Sequence, residues 1–329
     1  MSRSLKRIWA VALLTGTEGL RQPAFFLLFA LAAGMTVFSP SFSFFHLGEQ
    51  VKMVIDLGLS TVLTVSTLLA LLTASSTVTD EIEGRTALTM LSKPLRRSEF
   101  LAGKYLGVAI TACALVLLMV PMLLISVRSQ KFETFQDPYF LVAVAVACLC
   151  FAGLFGVMLV LRLLFHRGMP LVGAFWVAYA IATAFLLIFL SVKAPEKTVW
   201  EWRLVGGLIS IALHACVISA VAVALATRLT LVQSAIGTAA FFLLGHASGA
   251  LLTPFRDDLH HLNFFGSVLR AVLPDLDQFN NADALATAYL DAPVSIPWDV
   301  LASSSLYALL YGVFLMAVAS ALFSRRELG

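Results

Sequence analysis

The sequence predicts an all-α integral membrane protein with about eight transmembrane helices. Its residues are 60% hydrophobic and only 12% charged, and its mean hydropathy is +0.93. The apolar residues fall in continuous runs of roughly 20, the length a helix needs to cross the hydrocarbon core. Strict apolar–polar alternation, the mark of a membrane β-barrel, is missing from these runs. A net charge of +3, dispersed along the chain, gives no basis for binding nucleic acid.

Taken in order, the chain opens with Arg3, Lys6 and Arg7 before an apolar run that breaks at Thr15-Gly16-Thr17-Glu18. The run is short and no small-residue cleavage site follows it. It reads as a cytoplasmic surface helix leading into the first span, not a cleaved signal peptide. Eight windows then qualify as spans: 23–39, 58–78, 104–127, 139–161, 169–192, 204–226, 231–253 and 301–323. None contains Asp, Glu or Arg, and Lys104 sits at an edge. Pro121 is placed to kink the third span, where neighbouring helices can satisfy the freed backbone groups. Placing both termini in the cytoplasm puts 14 of the 22 Lys and Arg residues inside, in keeping with the positive-inside rule. The compact basic loop at Arg162 and Arg167 and the pair Arg325-Arg326 fit this orientation best. An alternative has six spans, with 204–253 as a re-entrant hairpin entered from outside. It keeps the same parity but buries Arg228, which is costly in lipid. The outer segment 254–300 carries seven Asp and two Arg. Pro254, Pro274, Pro293 and Pro297 divide it, leaving room only for short surface helices at 264–273 and 282–290. Cys113, Cys148, Cys150 and Cys216 all lie in apolar stretches and read as small hydrophobes, not as a disulfide framework or a metal cluster.

The stretch 79–104, TDEIEGRTALTMLSKPLRRSEFLAGK, is a charged island between two spans. Residues 80–92 can form about three helical turns. Asp80, Glu81 and Glu83 stand at the N-terminal end, where the helix dipole favours acids. Ala87, Leu88, Met90 and Leu91 supply an apolar side. Lys93-Pro94 ends the helix, since the residue before proline is pushed out of the α region. Ser98 is placed to cap the next helix, which runs through Phe100, Gly103 and Tyr105 into the membrane.

This island, EIEGRT followed by LSKPLRR, Phe100 and Gly103-Lys104, resembles the permease subunits of ABC-2 type ATP-binding-cassette transporters. GEQVKMVIDLGL (48–59), FFLLGHASGALL (241–252) and LPDLDQFN (273–280) are similar to one bacterial branch of that family. The resemblance implies a single transmembrane permease domain over 1–329, with 79–104 as its coupling-helix loop and 254–300 as an extracytoplasmic loop. It implies that Glu81, Glu83, Arg85, Thr86, Leu88, Leu91, Lys93, Pro94 and Arg96 seat in a groove on a cytoplasmic ABC ATPase. It further implies a bacterial inner-membrane location and assembly with a second permease copy, a homodimer in the simplest case. The chain has no G-x-x-x-x-G-K-[ST] phosphate loop, so ATP and Mg belong to the partner and this chain is expected to hold no cofactor and no metal of its own. The expected activity is export of a hydrophobic or amphipathic cargo, or force transmission to an outer partner. An ion-coupled secondary transporter or channel, and a non-transporting membrane scaffold, are the alternatives.

Three further features have two readings each. Gly245-x-x-x-Gly249 and Ala152-x-x-x-Gly156 are small-residue packing motifs, serving either a dimer seam or contacts within one subunit. His214 and His246 lie deep in spans, where an ionisable group is a functional candidate. Neutral imidazoles paired with Ser210, Ser248 or a backbone carbonyl would be structural instead. His260-His261, with Asp257 three residues before His260, could bind a metal on the outer side, but the pattern lacks a closed tetrahedral ligand set and reads otherwise as an ordinary loop.

Overall fold

The computed structural model describes residues 3–42, 50–79, 96–129, 176–177, 179–188, 202–252, 264, 273–281, 285 and 296–324. Among the described residues the secondary structure is helical, with no strand. The helices are α1 (Arg3–Gly19), α2 (Pro23–Phe42), α3 (Gln50–Ala74), α4 (Arg97–Ser129), α5 (Tyr179–Ile188), α6 (Trp202–Ala226), α7 (Leu231–His246), α8 (Ser248–Leu252) and α9 (Trp298–Ser324). A π-helical turn, Ser75–Thr79, continues α3.

Among the described residues, five stretches are long and apolar enough to cross a membrane: Pro23–Pro40, Val51–Val78, Arg97–Arg128, Leu204–Ala226 and Trp298–Phe323. They correspond to the first, second, third, sixth and eighth windows of the sequence. The fourth window, 139–161, lies outside the described residues. Of the fifth, 169–192, the described residues are 176–177 and α5. The seventh is divided between α7 and α8 at Ala247. Beside the division, Leu276 donates its backbone N–H to the Gly245 carbonyl at 3.3 Å.

α4 is the central element. With 33 residues it is about 50 Å long at the standard helical rise, and it passes through both apolar cores. One core gathers Phe25, Phe29, Ile55, Leu115 and Met119 with Tyr179. There Trp176 lies edge-on to Phe25 and Phe29. The other gathers Phe100, Val108, Ala215, Ala222, Leu276 and Phe323. α9 contributes Ala308, Tyr311, Ala319 and Phe323 to that second core. Its remaining faces expose Leu306, Leu309, Leu310, Val313 and Phe314, as suits the apolar periphery of a bundle.

The first helix departs from a simple surface position. α1 lies lengthwise along the first half of α4 and points the same way. Ser4 bonds Glu99, Val11 meets Gly103, Thr15 meets Gly107, and Thr111 stands against Gly16 and Gly19. Glycine makes this approach possible. A Cβ on Gly103 would lie 2.6 Å from Val11 Cβ, and one on Gly107 would lie 2.5 Å from Thr15 Cβ. The outer face of α1 still exposes Leu5, Lys6, Trp9 and Leu13, an amphipathic pattern suited to a membrane boundary.

Candidate functional site

Among the described residues, six helix ends meet at one end of the bundle: the start of α1, the π turn after α3, the start of α4, the end of α6, the start of α7 and the end of α9. Glu99 organises the junction. Its carboxylate accepts the Arg96 backbone N–H at 3.3 Å, accepts the Ser4 hydroxyl of α1, and stands 3.7 Å from the Arg7 guanidinium. The α4 helix therefore starts at Arg97, with Arg96 in the capping position, two residues earlier than a Ser98 cap would place it. A carboxylate in the first turn that reaches back to the capping N–H supplies both a partner for an orphan donor and a favourable charge.

Arg97 donates to the Phe323 carbonyl at 3.3 Å and lies 5.8 Å from the centre of the Phe323 ring. Arg228, in the turn between α6 and α7, donates to the Leu322 carbonyl. Both guanidinium groups thus bond the final carbonyls of α9, where the helix dipole favours cations. Lys104 is 1% exposed. Its ammonium lies 3.5 Å from the Thr77 carbonyl in the π turn and 5.8 Å from the Phe100 ring centre. A π turn departs from the regular ladder, and here its Thr77 carbonyl faces a cation. The same turn is tied to α7 through Ser75 and Ser234, 3.4 Å apart, and to Gln22 through Ser76 at 3.1 Å.

The charged island is anchored in this cluster at both ends, at Thr79 and at Arg96. Its interior, including Glu81, Glu83, Arg85, Thr86, Leu88, Leu91, Lys93 and Pro94, lies outside the described residues, as do His260 and His261. Arg96 is described and its side chain is exposed. Gly245 packs within the chain: a Cβ there would lie 2.5 Å from Leu276 Cδ1, whereas one on Gly249 would meet nothing within 4 Å.

A second polar feature sits deep in the bundle. His214 on α6 and His246 on α7 have ring centroids 5.4 Å apart. Phe242 and Phe279 flank His214 at 5.7 and 6.2 Å. His246 Nδ1 is 3.1 Å from the Phe242 carbonyl, a hydrogen bond in which the ring N–H donates. Neither His214 nitrogen has a hydrogen-bond partner among the described residues, and His246 Nε2, Ser248 Oγ and Gln278 Nε2 share that condition. The Ser210 hydroxyl, one candidate partner for a histidine, instead donates to the Gly206 carbonyl at 3.2 Å and accepts from Asn281 at 3.0 Å. An unsatisfied buried polar group carries a desolvation penalty of roughly 1–3 kcal/mol. We therefore expect His214→Leu, close in size, to raise stability in detergent by about 1–2 kcal/mol. Denaturant titration checks this, and a clear loss would show that the imidazole is satisfied after all.

Sequence reasoning passed over three features of this region. The motif Gly103-x-x-x-Gly107 is a helix-packing signal of which only Gly103 falls within the island. Glu99 was counted as an island charge, not as the residue joining α1 to α4. Lys104 was placed at the edge of a span, and nothing in the local pattern signals its burial beneath the π turn. Among known proteins, no family model and no curated protein matches this chain.

Proposed function

We propose that this chain is the permease subunit of an ABC-2 type transporter, coupling ATP hydrolysis on a partner ATPase to export or force transmission across the cytoplasmic membrane. The observation that carries this reading is the anchoring of the island. Its two ends, Thr79 and Arg96, sit where α1, α3, α4, α6, α7 and α9 are cross-linked by Glu99, Arg97, Lys104 and Arg228. A push on a helix held there is delivered to several spans at once. The EIEGRT and LSKPLRR patterns supply the docking surface, with Glu83, Arg85, Leu88 and Leu91 as its contact residues. ATP and Mg reside on the ATPase, and a second permease copy completes the assembly with both termini cytoplasmic.

The test is recovery of a candidate ATPase with the purified chain in detergent. Wild type should retain it. A Glu83→Lys, Arg85→Glu double variant should lower recovery at least roughly tenfold, which corresponds to about 1.4 kcal/mol of binding, while keeping the same gel-filtration profile. If wild type retains no ATPase, the coupling reading fails. A gradient-driven carrier is then the second reading, and the buried His214–His246 pair is the observation that favours it.

A further inference from the structure

Cys113 lies near the middle of α4, and Cys216 near the middle of α6. Their sulfurs are 3.7 Å apart, at contact distance, and either can donate its S–H to the other. Cys113 Sγ is also 3.8 Å from the Ala212 carbonyl. Both thiols are free and half-buried. The helices approach closely at this level because Ala112 and Ala215 are fully buried in the same core, and small residues bring backbones together. Tyr105, on the α4 turns preceding Cys113, reaches toward Gly312 of α9, with its hydroxyl 3.3 Å from where a Cβ there would lie. The pair is therefore set where α4 and α6 join, close to α9.

We infer that Cys113 and Cys216 form a dithiol modification site that a small, uncharged two-electron oxidant closes to a disulfide, stapling α4 to α6. A disulfide needs a sulfur–sulfur distance of about 2.05 Å. Starting from 3.7 Å, the sulfurs have a gap of under about 2 Å to close. In the reaction one thiol loses its proton and its sulfur attacks the oxidant. The second sulfur then displaces the reduced oxidant and forms the S–S bond. With diamide the balance is two thiols plus one N=N bond giving one disulfide plus one hydrazine, so both hydrogens and two electrons pass to the diamide nitrogens. The bridge joins residues 103 positions apart. It fixes α4, which leads directly from the charged island, against α6.

The inference does not depend on the transporter reading. The experiment treats the purified full-length chain in detergent with diamide, blocks remaining thiols with iodoacetamide, digests the protein and analyses the peptides by mass spectrometry. The expected result is a Cys113–Cys216 linked peptide, two hydrogens lighter than the sum of its parts, enriched at least tenfold over the untreated sample and lost on adding dithiothreitol. Cys216→Ser should abolish it and leave Cys113 alkylated. Because the decisive sample is the wild-type chain, the result stands even if the variant folds poorly. Quantitative alkylation of both residues after diamide overturns the inference. So does a link from either one to Cys148 or Cys150 in place of the pair.

Discussion

Gly107→Leu should loosen α1 from α4 and lower the stability of the purified protein by roughly 1–3 kcal/mol, the usual cost of overpacking. The opposing effect is known in size, since replacing a mid-helix glycine gains up to about 1 kcal/mol in helix propensity. Position 107 loses that gain because its neighbours cannot step aside. The added Cβ would meet Thr15 Cβ at 2.5 Å and the Ala12 carbonyl oxygen at 2.9 Å, and the second of these is backbone. Gly34 on α2 supplies the control. A Cβ there meets nothing within 4 Å, so Gly34→Ala should gain roughly 0.5–1 kcal/mol. Opposite signs in a denaturant titration would establish that the glycine spacing on α4 sets the α1–α4 approach. Faster proteolysis near Trp9 in Gly107→Leu alone would locate the damage in α1. Equal behaviour of the two variants would remove close packing as the role of Gly107.

The contrast between these two glycines shows what the sequence can convey. Apolar run length marked five of the spans because lipid imposes a length and a composition on any helix that crosses it. Arg97, Lys104 and Arg228 meet at one end of the bundle. Pairing between helices was harder to read. Gly103-x-x-x-Gly107 and Gly245-x-x-x-Gly249 look alike as strings, yet the first receives a helix, while only Gly245 of the second is filled, by Leu276 from a distant segment. That segment, 273–281, was read as part of an outer loop. Its Leu276 and Phe279 are fully buried, and Phe279 reaches the ring of His214. No local periodicity reports such an insertion, because the gap it fills, beside Gly245, belongs to another helix. Cys113 and Cys216 illustrate the same limit. Each is a small apolar residue in its own helix, and only the α4–α6 contact makes them a pair.

Lys104→Ala should be among the most damaging single changes, at roughly 2–5 kcal/mol, the range for removing a large buried side chain. Lys104 ranks with Phe25, Phe29 and Phe100 among the largest fully buried side chains of the described residues. Its aliphatic stem fills the space between α4 and the π turn, and its ammonium serves the Thr77 carbonyl. Lys104→Met separates these two contributions. The thioether chain keeps most of the packing volume and gives up the charge. A hydrogen bond from a charged donor is worth roughly 1.5–3 kcal/mol, but burying an ammonium costs several kcal/mol, which its loss recovers. The methionine variant should therefore lie well above the alanine variant and within about 1–2 kcal/mol of wild type. If the two fall together, the charge and not the stem holds the π turn. If the transporter reading is right, the methionine variant has a second use. It leaves the bundle folded while releasing the Thr79 end of the island, so ATPase recovery should drop in a protein whose stability has barely changed. A stable Lys104→Met protein with full ATPase recovery and full coupled activity would limit Lys104 to packing and leave Glu99 and Arg97 as the anchors through which the island acts on the spans.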